Sequence, residues 1–172
     1  VRKHWGKINS TPEDKLAVVR RFNNDLSTNR GKPPGDPIRG HQLYLQFCAA
    51  CHVLFGEGGK IGADLTVANR KDKDFLLTSI VDPSAVIRKE YLNYIVKTKD
   101  GRTITGSVAE DSSGGLTLAN ANNERTTVPR DAIVSMEDSG VSLMPEGLLH
   151  ALTPQELRDL FAYVQGDAPP AK

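Results

Sequence analysis

The chain of 172 residues is poor in sulfur, with two cysteines and two methionines. A disulfide framework needs more cysteines at wider spacings, so one local chemistry must account for Cys48 and Cys51 together. Long apolar runs are missing as well. None approaches the roughly 20 residues that cross a bilayer, and no membrane span is expected in this stretch. Charge of one sign is not in excess either. A formal net charge of +1 gives no overall pull towards nucleic acid or anionic lipid. No secretory leader is readable, because Val1-Arg2-Lys3-His4-Trp5 leads into polar sequence. A start at Val1 rather than Met reads as a processed or excised piece of a longer secreted protein. What is present is ordinary for a globular chain, with 25% charged and 38% hydrophobic residues. That is enough for one domain with a real core, or for a compact domain with an appended piece.

Residues 1–27 read as helical. Val1, Trp5 and Ile8 recur at helical spacing, as do Leu16, Val19, Phe22 and Leu26. Thr11 is placed to cap the second segment, with Pro12 in its first turn. Thr28 to Gly35 reads as a Gly- and Pro-rich linker. Asp36-Pro37 caps a helix that runs into the cysteines, and residues 72–80 form another, stopped near Pro83. After about residue 90 the period changes. Leu92 to Thr98 and Thr103 to Val108 flank Asp100-Gly101, a hairpin signal, and three shorter β-rich runs follow. They predict an insertion of four or five strands at about 91–137, patterned like a small SH3- or Sm-like barrel. Helical period returns at Thr153-Pro154-Gln155-Glu156, a capping box, followed by Leu157, Leu160, Phe161 and Val164.

Cys48-Ala49-Ala50-Cys51-His52 carries the chemistry. Two thiols three apart on a helical turn lie on one side and reach two vinyl groups of one porphyrin. The adjacent His52 then falls under the iron as an axial ligand. A thioredoxin-like pair should follow a strand and open a helix, whereas this pair ends one. A zinc site needs about four ligands, and the second pair is missing.

The surroundings resemble class I cytochromes c. Gly40, Tyr44 and Cys48 are spaced like that family's N-terminal helix, and Leu160-Phe161-Ala162-Tyr163 like the C-terminal helix that crosses it at the glycine. Gly62-Ala63-Asp64-Leu65 stands where the family usually has Gly-Pro-Asp/Asn-Leu. The resemblance implies that the Ala63 carbonyl holds Nδ1–H of His52 and that Arg70 binds a haem propionate, with a solvated loop cation as the other reading of Arg70. Ser142-Leu143-Met144-Pro145 has the form of the distal-methionine loop. The resemblance thus implies Met144 as the second iron ligand, with Met136 as strand packing. His4, His41 and His150 are alternatives for a bis-His site, of which His41 and His150 read as surface residues. From Asp36 to Val164 the chain is similar to the haem-binding cytochrome domain of planctomycete and verrucomicrobial multidomain proteins. Cys48 to Val53, Ile80 to Ser84, Thr98 to Arg102 and Ser142 to Leu148 carry that likeness.

The expected fold is therefore mainly α: a helical N-terminal extension and linker at 1–35, then a cytochrome c-like domain at 36–172. The β insertion should lie between the third core helix and the distal Met loop. The expected cofactor is one covalent, iron-containing haem c. Cys48, Cys51, His52, Met144, Ala63 and Arg70 should bind it, with His52 and Met144 on the metal. The expected role is electron transfer rather than catalysis, in a periplasmic or otherwise extracytoplasmic setting. The partner would be a redox protein or a dehydrogenase domain of the same parent chain. Nucleic acid is not expected, because basic residues do not cluster with aromatics in the insertion. Two rivals are a haem enzyme or gas sensor with an open distal site, and an interaction module in which the haem is structural.

Overall fold

The computed structural model describes residues 5–27 and 31–170; Val1, His4, the linker positions Thr28 to Arg30 and the last two residues lie outside them. The chain divides into two units. One runs through Asn9 and from Ser84 to Met144, and the other from Ser10 to Pro83 and from Pro145 onward.

The second unit is helical. Its helices are α1 (Glu13–Leu26), α2 (Pro37–Phe47), α3 (Lys73–Val81) and α4 (Pro154–Val164). Asp36 caps α2 by accepting from Ile38 N–H at 2.8 Å, and Asp72 caps α3 through Phe75 N–H at 3.0 Å. The expected cap on α1 is not made: Pro12 holds the cap position with no side-chain bond, and the helix starts at Glu13. At α4 the full capping box forms, Thr153 bonding Glu156 N–H and Glu156 bonding Thr153 N–H. α2 and α4 cross at Gly40, where an added Cβ would lie 1.9 Å from the Asp159 carbonyl oxygen. Only a glycine permits that approach. Around it Tyr44, Leu54, Leu77, Leu157, Phe161 and Tyr163 form the core, and α1 adds Phe22. Between α2 and α3 lies a two-residue hairpin, β2 (Val53–Leu54) with β3 (Glu57–Gly58).

The first unit is built of strands. β1 (Trp5–Ile8) pairs antiparallel with β4 (Val86–Arg88). Then β5 (Asn93–Thr98), β6 (Thr103–Asp111), β7 (Gly115–Ala119), β8 (Arg125–Pro129) and β9 (Ile133–Asp138) form one antiparallel sheet in the order β8-β7-β6-β5-β9. Asp100-Gly101 makes the β5–β6 turn, with Gly101 at φ +84°. A short helical turn at Arg130–Ala132 brings β9 back beside β5. Val96, Leu116 and Leu118 form the small core of this sheet.

Three expectations need correction. The described residues hold four α-helices and a five-stranded antiparallel sheet, so the fold is mixed rather than mainly α. Trp5 to Ile8 is a strand, because pairing with Val86–Arg88, distant in sequence, overrides a local helical spacing. α1 falls in the same unit as α2–α4. Met136 sits on β9 as expected of a strand, but it is 39% exposed and fills no core.

Candidate haem-binding site

α2 ends at Phe47 and Cys48 is its cap residue, with N–H bonded to the Tyr44 carbonyl at 2.9 Å. The next turn closes on the same residue. Cys51 N–H and His52 N–H both donate to the Cys48 carbonyl, at 3.1 and 3.0 Å. The turn therefore returns both thiols and the imidazole to the end of one helix. A loop then wraps it. Gly59 N–H donates to Ala49 O at 2.7 Å, and Gly62 N–H to Cys51 O at 2.8 Å. A Cβ at Gly62 would lie 2.5 Å from Cε1 of His52, so the loop backbone lies flat against the imidazole.

That approach carries Ala63 into place. Its carbonyl lies 2.8 Å from His52 Nδ1. A carbonyl only accepts, so the ring proton sits on Nδ1 and the Nε2 lone pair is left for a metal. Burial holds the imidazole below its ordinary value of 6.5, against the smaller upward pull of the Ala63 bond. A neutral ring with a free Nε2 is the form an iron ligand needs.

The two thiols are half-buried and not joined to each other. Burial, with the Cys51 thiol beside it, pushes the Cys48 thiol up to about 12. Burial raises Cys51 as well. Reactive Cys-X-X-Cys pairs have lowered values, and these move the other way. An uncharged thioether suits such a site better than a thiolate. Among the described residues no group of three or more His, Cys, Asp or Glu converges as a metal cluster, so a zinc reading has no donor set. Donor chemistry, ring tautomer and glycine cradle all fit a haem c.

The family model for cytochrome c matches residues 38–166. The chain belongs to the cytochrome c family. A comparison with curated proteins finds no match. Membership brings a covalent, iron-containing haem c, with Cys48 and Cys51 as the two available thiols. It also brings haem-based electron transfer as the activity, since a cytochrome c domain is typically an electron carrier.

The remaining expected residues of this cytochrome domain lie as follows. Arg70 is no solvated cation: it is 6% exposed and its guanidinium lies 5.0 Å from the Phe55 ring centroid. Its Nη1 donates to the carbonyls of Val164 (2.8 Å) and Gly166 (2.5 Å), while Nε is buried without a partner. Nη1 is thus committed to the end of α4, while Nε is left over. Met144 is half-buried in the other unit, in a loop where its N–H donates to Ser142 Oγ at 3.1 Å. Ser142 N–H in turn donates to Ser84 Oγ at 3.1 Å. His41 pairs with Glu57 at 2.6 Å, and His150 lies 5.4 Å from the Phe22 ring. Neither is arranged as an obvious ligand. Gly59 and the Tyr44 hydroxyl were not singled out by sequence reasoning. The Gly58-Gly59 pair just after the motif was the available signal.

Proposed function

We propose that this domain carries single electrons on a haem c whose iron is held by His52 and Met144. The carrying observation is the Nδ1–H···O=C bond from His52 to Ala63, directly after two cysteines on one turn. When bound, the haem supplies a one-electron ferric/ferrous couple. The chain does the rest. Cys48 and Cys51 anchor, Ala63 and Gly62 fix the imidazole, and Nε2 is presented unprotonated. For the second ligand, Met136 is tied into the ladder opposite Val96, whereas Met144 lies in an irregular loop tethered through two serines. A thioether there is a weak donor that favours the ferrous state. If His52 and Met144 both held the iron, no coordination position on it would be left for substrate. Arg70, through its unpartnered Nε–H, is proposed as a propionate donor. The setting is proposed as periplasmic or otherwise extracytoplasmic. The partner is proposed as a redox protein or a dehydrogenase-like domain of a longer chain of the planctomycete and verrucomicrobial type.

Carbon monoxide tests the ligand pair. Reduced wild-type protein should bind it slowly or not at all, while Met144→Ala should bind it readily. The midpoint potential of Met144→Ala should also fall by more than one step of about 59 mV, a tenfold change for one electron. Met136→Leu should leave the ferric low-spin spectrum unchanged. Rapid, complete binding by the wild type would mean an open iron, and the electron-carrier reading would give way to a catalytic or sensing one.

A further inference from the structure

His52 is held at two points, and only one of them belongs to the Ala63 loop. The second is its own backbone carbonyl. Tyr44 is wholly buried on α2 and donates its hydroxyl to the His52 carbonyl oxygen at 2.5 Å. The same oxygen atom of Tyr44 lies 2.9 Å from the Glu57 carbonyl. A hydroxyl has one proton, so the shorter contact takes the larger share of it and the hairpin strand β3 competes for the rest. The tyrosine ring cannot follow either carbonyl. It packs against Tyr163 of α4 with centroids 5.4 Å apart, inside the crossing set by Gly40. The hairpin is fitted around this hydroxyl. At Gly58 an added Cβ would lie 2.0 Å from His52 O and 2.8 Å from the Tyr44 hydroxyl oxygen. A phenylalanine would fill the same core space, so packing alone does not call for the hydroxyl.

We propose that Tyr44 is a positioning residue for the iron ligand: its hydroxyl fixes the His52–Val53 peptide plane and so completes the orientation of the imidazole that Ala63 begins. This rests on His52 as an iron ligand and does not depend on Met144. The hydroxyl also turns the positive end of its dipole towards the ligand-bearing turn. A positive end there favours the less positive, ferrous iron, so losing it should lower the potential.

The test uses the haem-loaded domain. Tyr44→Phe should keep its covalent haem. Against a fixed redox mediator its reduction equilibrium should move at least twofold towards the ferric form. Its ferric low-spin EPR g-values, which report the imidazole plane, should move too. Tyr163→Phe removes a hydroxyl that makes no bond to this turn and should leave both readouts at wild type. Incorporating 3-fluorotyrosine at Tyr44 preserves shape and strengthens the donor, so the equilibrium should move the opposite way. A Tyr44→Phe protein with a lower thermal midpoint but wild-type potential and g-values would overturn the proposal and leave Tyr44 a packing residue. If Tyr44→Phe fails to take up haem, the fluorotyrosine protein decides alone, and an unmoved potential overturns the proposal. Free carbon monoxide binding by the wild type would sink the Met144 assignment and the electron-carrier reading with it, but not the role of Tyr44. The Tyr44 effect would then be read from the iron–histidine stretch of the five-coordinate ferrous form.

Discussion

Backbone comes close to backbone in both units, but to different ends. In the helical unit an added Cβ would strike Asp159 O at 1.9 Å from Gly40, Ala50 O at 2.2 Å from Gly59 and the His52 ring at 2.5 Å from Gly62. In the sheet unit Gly101 has nothing within 4 Å and Gly114 nothing nearer than 3.9 Å, while Gly106 and Gly115 meet only neighbouring strands of the ladder. The sheet thus uses glycine for turns and for strand spacing. The helical unit uses it to press a loop and a second helix onto the residues that hold a cofactor. Crowding of this kind marks where side chains must be immobile, and here it surrounds Cys48 to His52.

The largest effect that this contrast predicts is at the thiols. Cys48→Ala with Cys51→Ala should abolish covalent haem altogether, read as loss of haem staining after denaturing electrophoresis and full extraction by acid–acetone. Haem that resists extraction from the double variant would end the covalent assignment. Next comes the helix crossing. Gly40→Ala drives a methyl into the Asp159 carbonyl, and overpacking of a fixed backbone contact should lower stability by about 3 kcal/mol. Gly101→Ala meets open space and bears only the strain of a positive φ, about 1 kcal/mol. Chemical denaturation of the two variants should rank them in that order, and equal losses would break the comparison.

Much of the site was legible because its signals are local. The five-residue motif, the Gly40–Tyr44–Cys48 spacing, the Thr153 capping box and the Asp100-Gly101 turn each depend on neighbours within a few residues. What escaped depends on distant partners. Trp5 to Ile8 became a strand through residues some eighty positions away. The hairpin turn at Phe55-Gly56 was hidden because phenylalanine rarely takes a positive φ, here 53°. Its ring lies edge-on to Tyr163 and faces the Arg70 guanidinium, and Thr66 Oγ1 accepts its N–H at 3.0 Å. Arg70 read as a propionate ligand or a loop cation, since nothing local shows that it meets the end of α4.

The smallest predicted effect lies at the edge of the helical unit. Lys15 donates to Asp82 at 2.7 Å and to Glu146 at 2.6 Å. The Asp82 bond first, then the Glu146 bond, holds its pKa above the ordinary 10.5. A group raised in the folded state gives its stability in full below the unfolded value and loses it as pH climbs through the folded one. Lys15→Met should therefore lower stability at neutral pH by about 1 kcal/mol, read by chemical denaturation, because Lys15 and Glu146 keep contact with solvent although Asp82 is buried. It should also flatten the alkaline decline expected of the wild type above about pH 10.5. A variant with the wild-type alkaline slope would show that Lys15 does not carry it.

Helix α4 is stoppered at both ends. Its first turn is closed by the Thr153–Glu156 box, and the carbonyls of Val164, Gln165 and Gly166 at its other end are taken by Arg70 and Lys71, which reach in from the loop ahead of α3. Helices ordinarily fray from the tips inward, one turn at a time. With both tips held, this one has no cheap first step: opening its last turn means lifting the 70–71 segment, and opening its first means breaking a reciprocal pair. α4 is thus built to exchange its amide protons late and together, as one rigid spar rather than a graded spring.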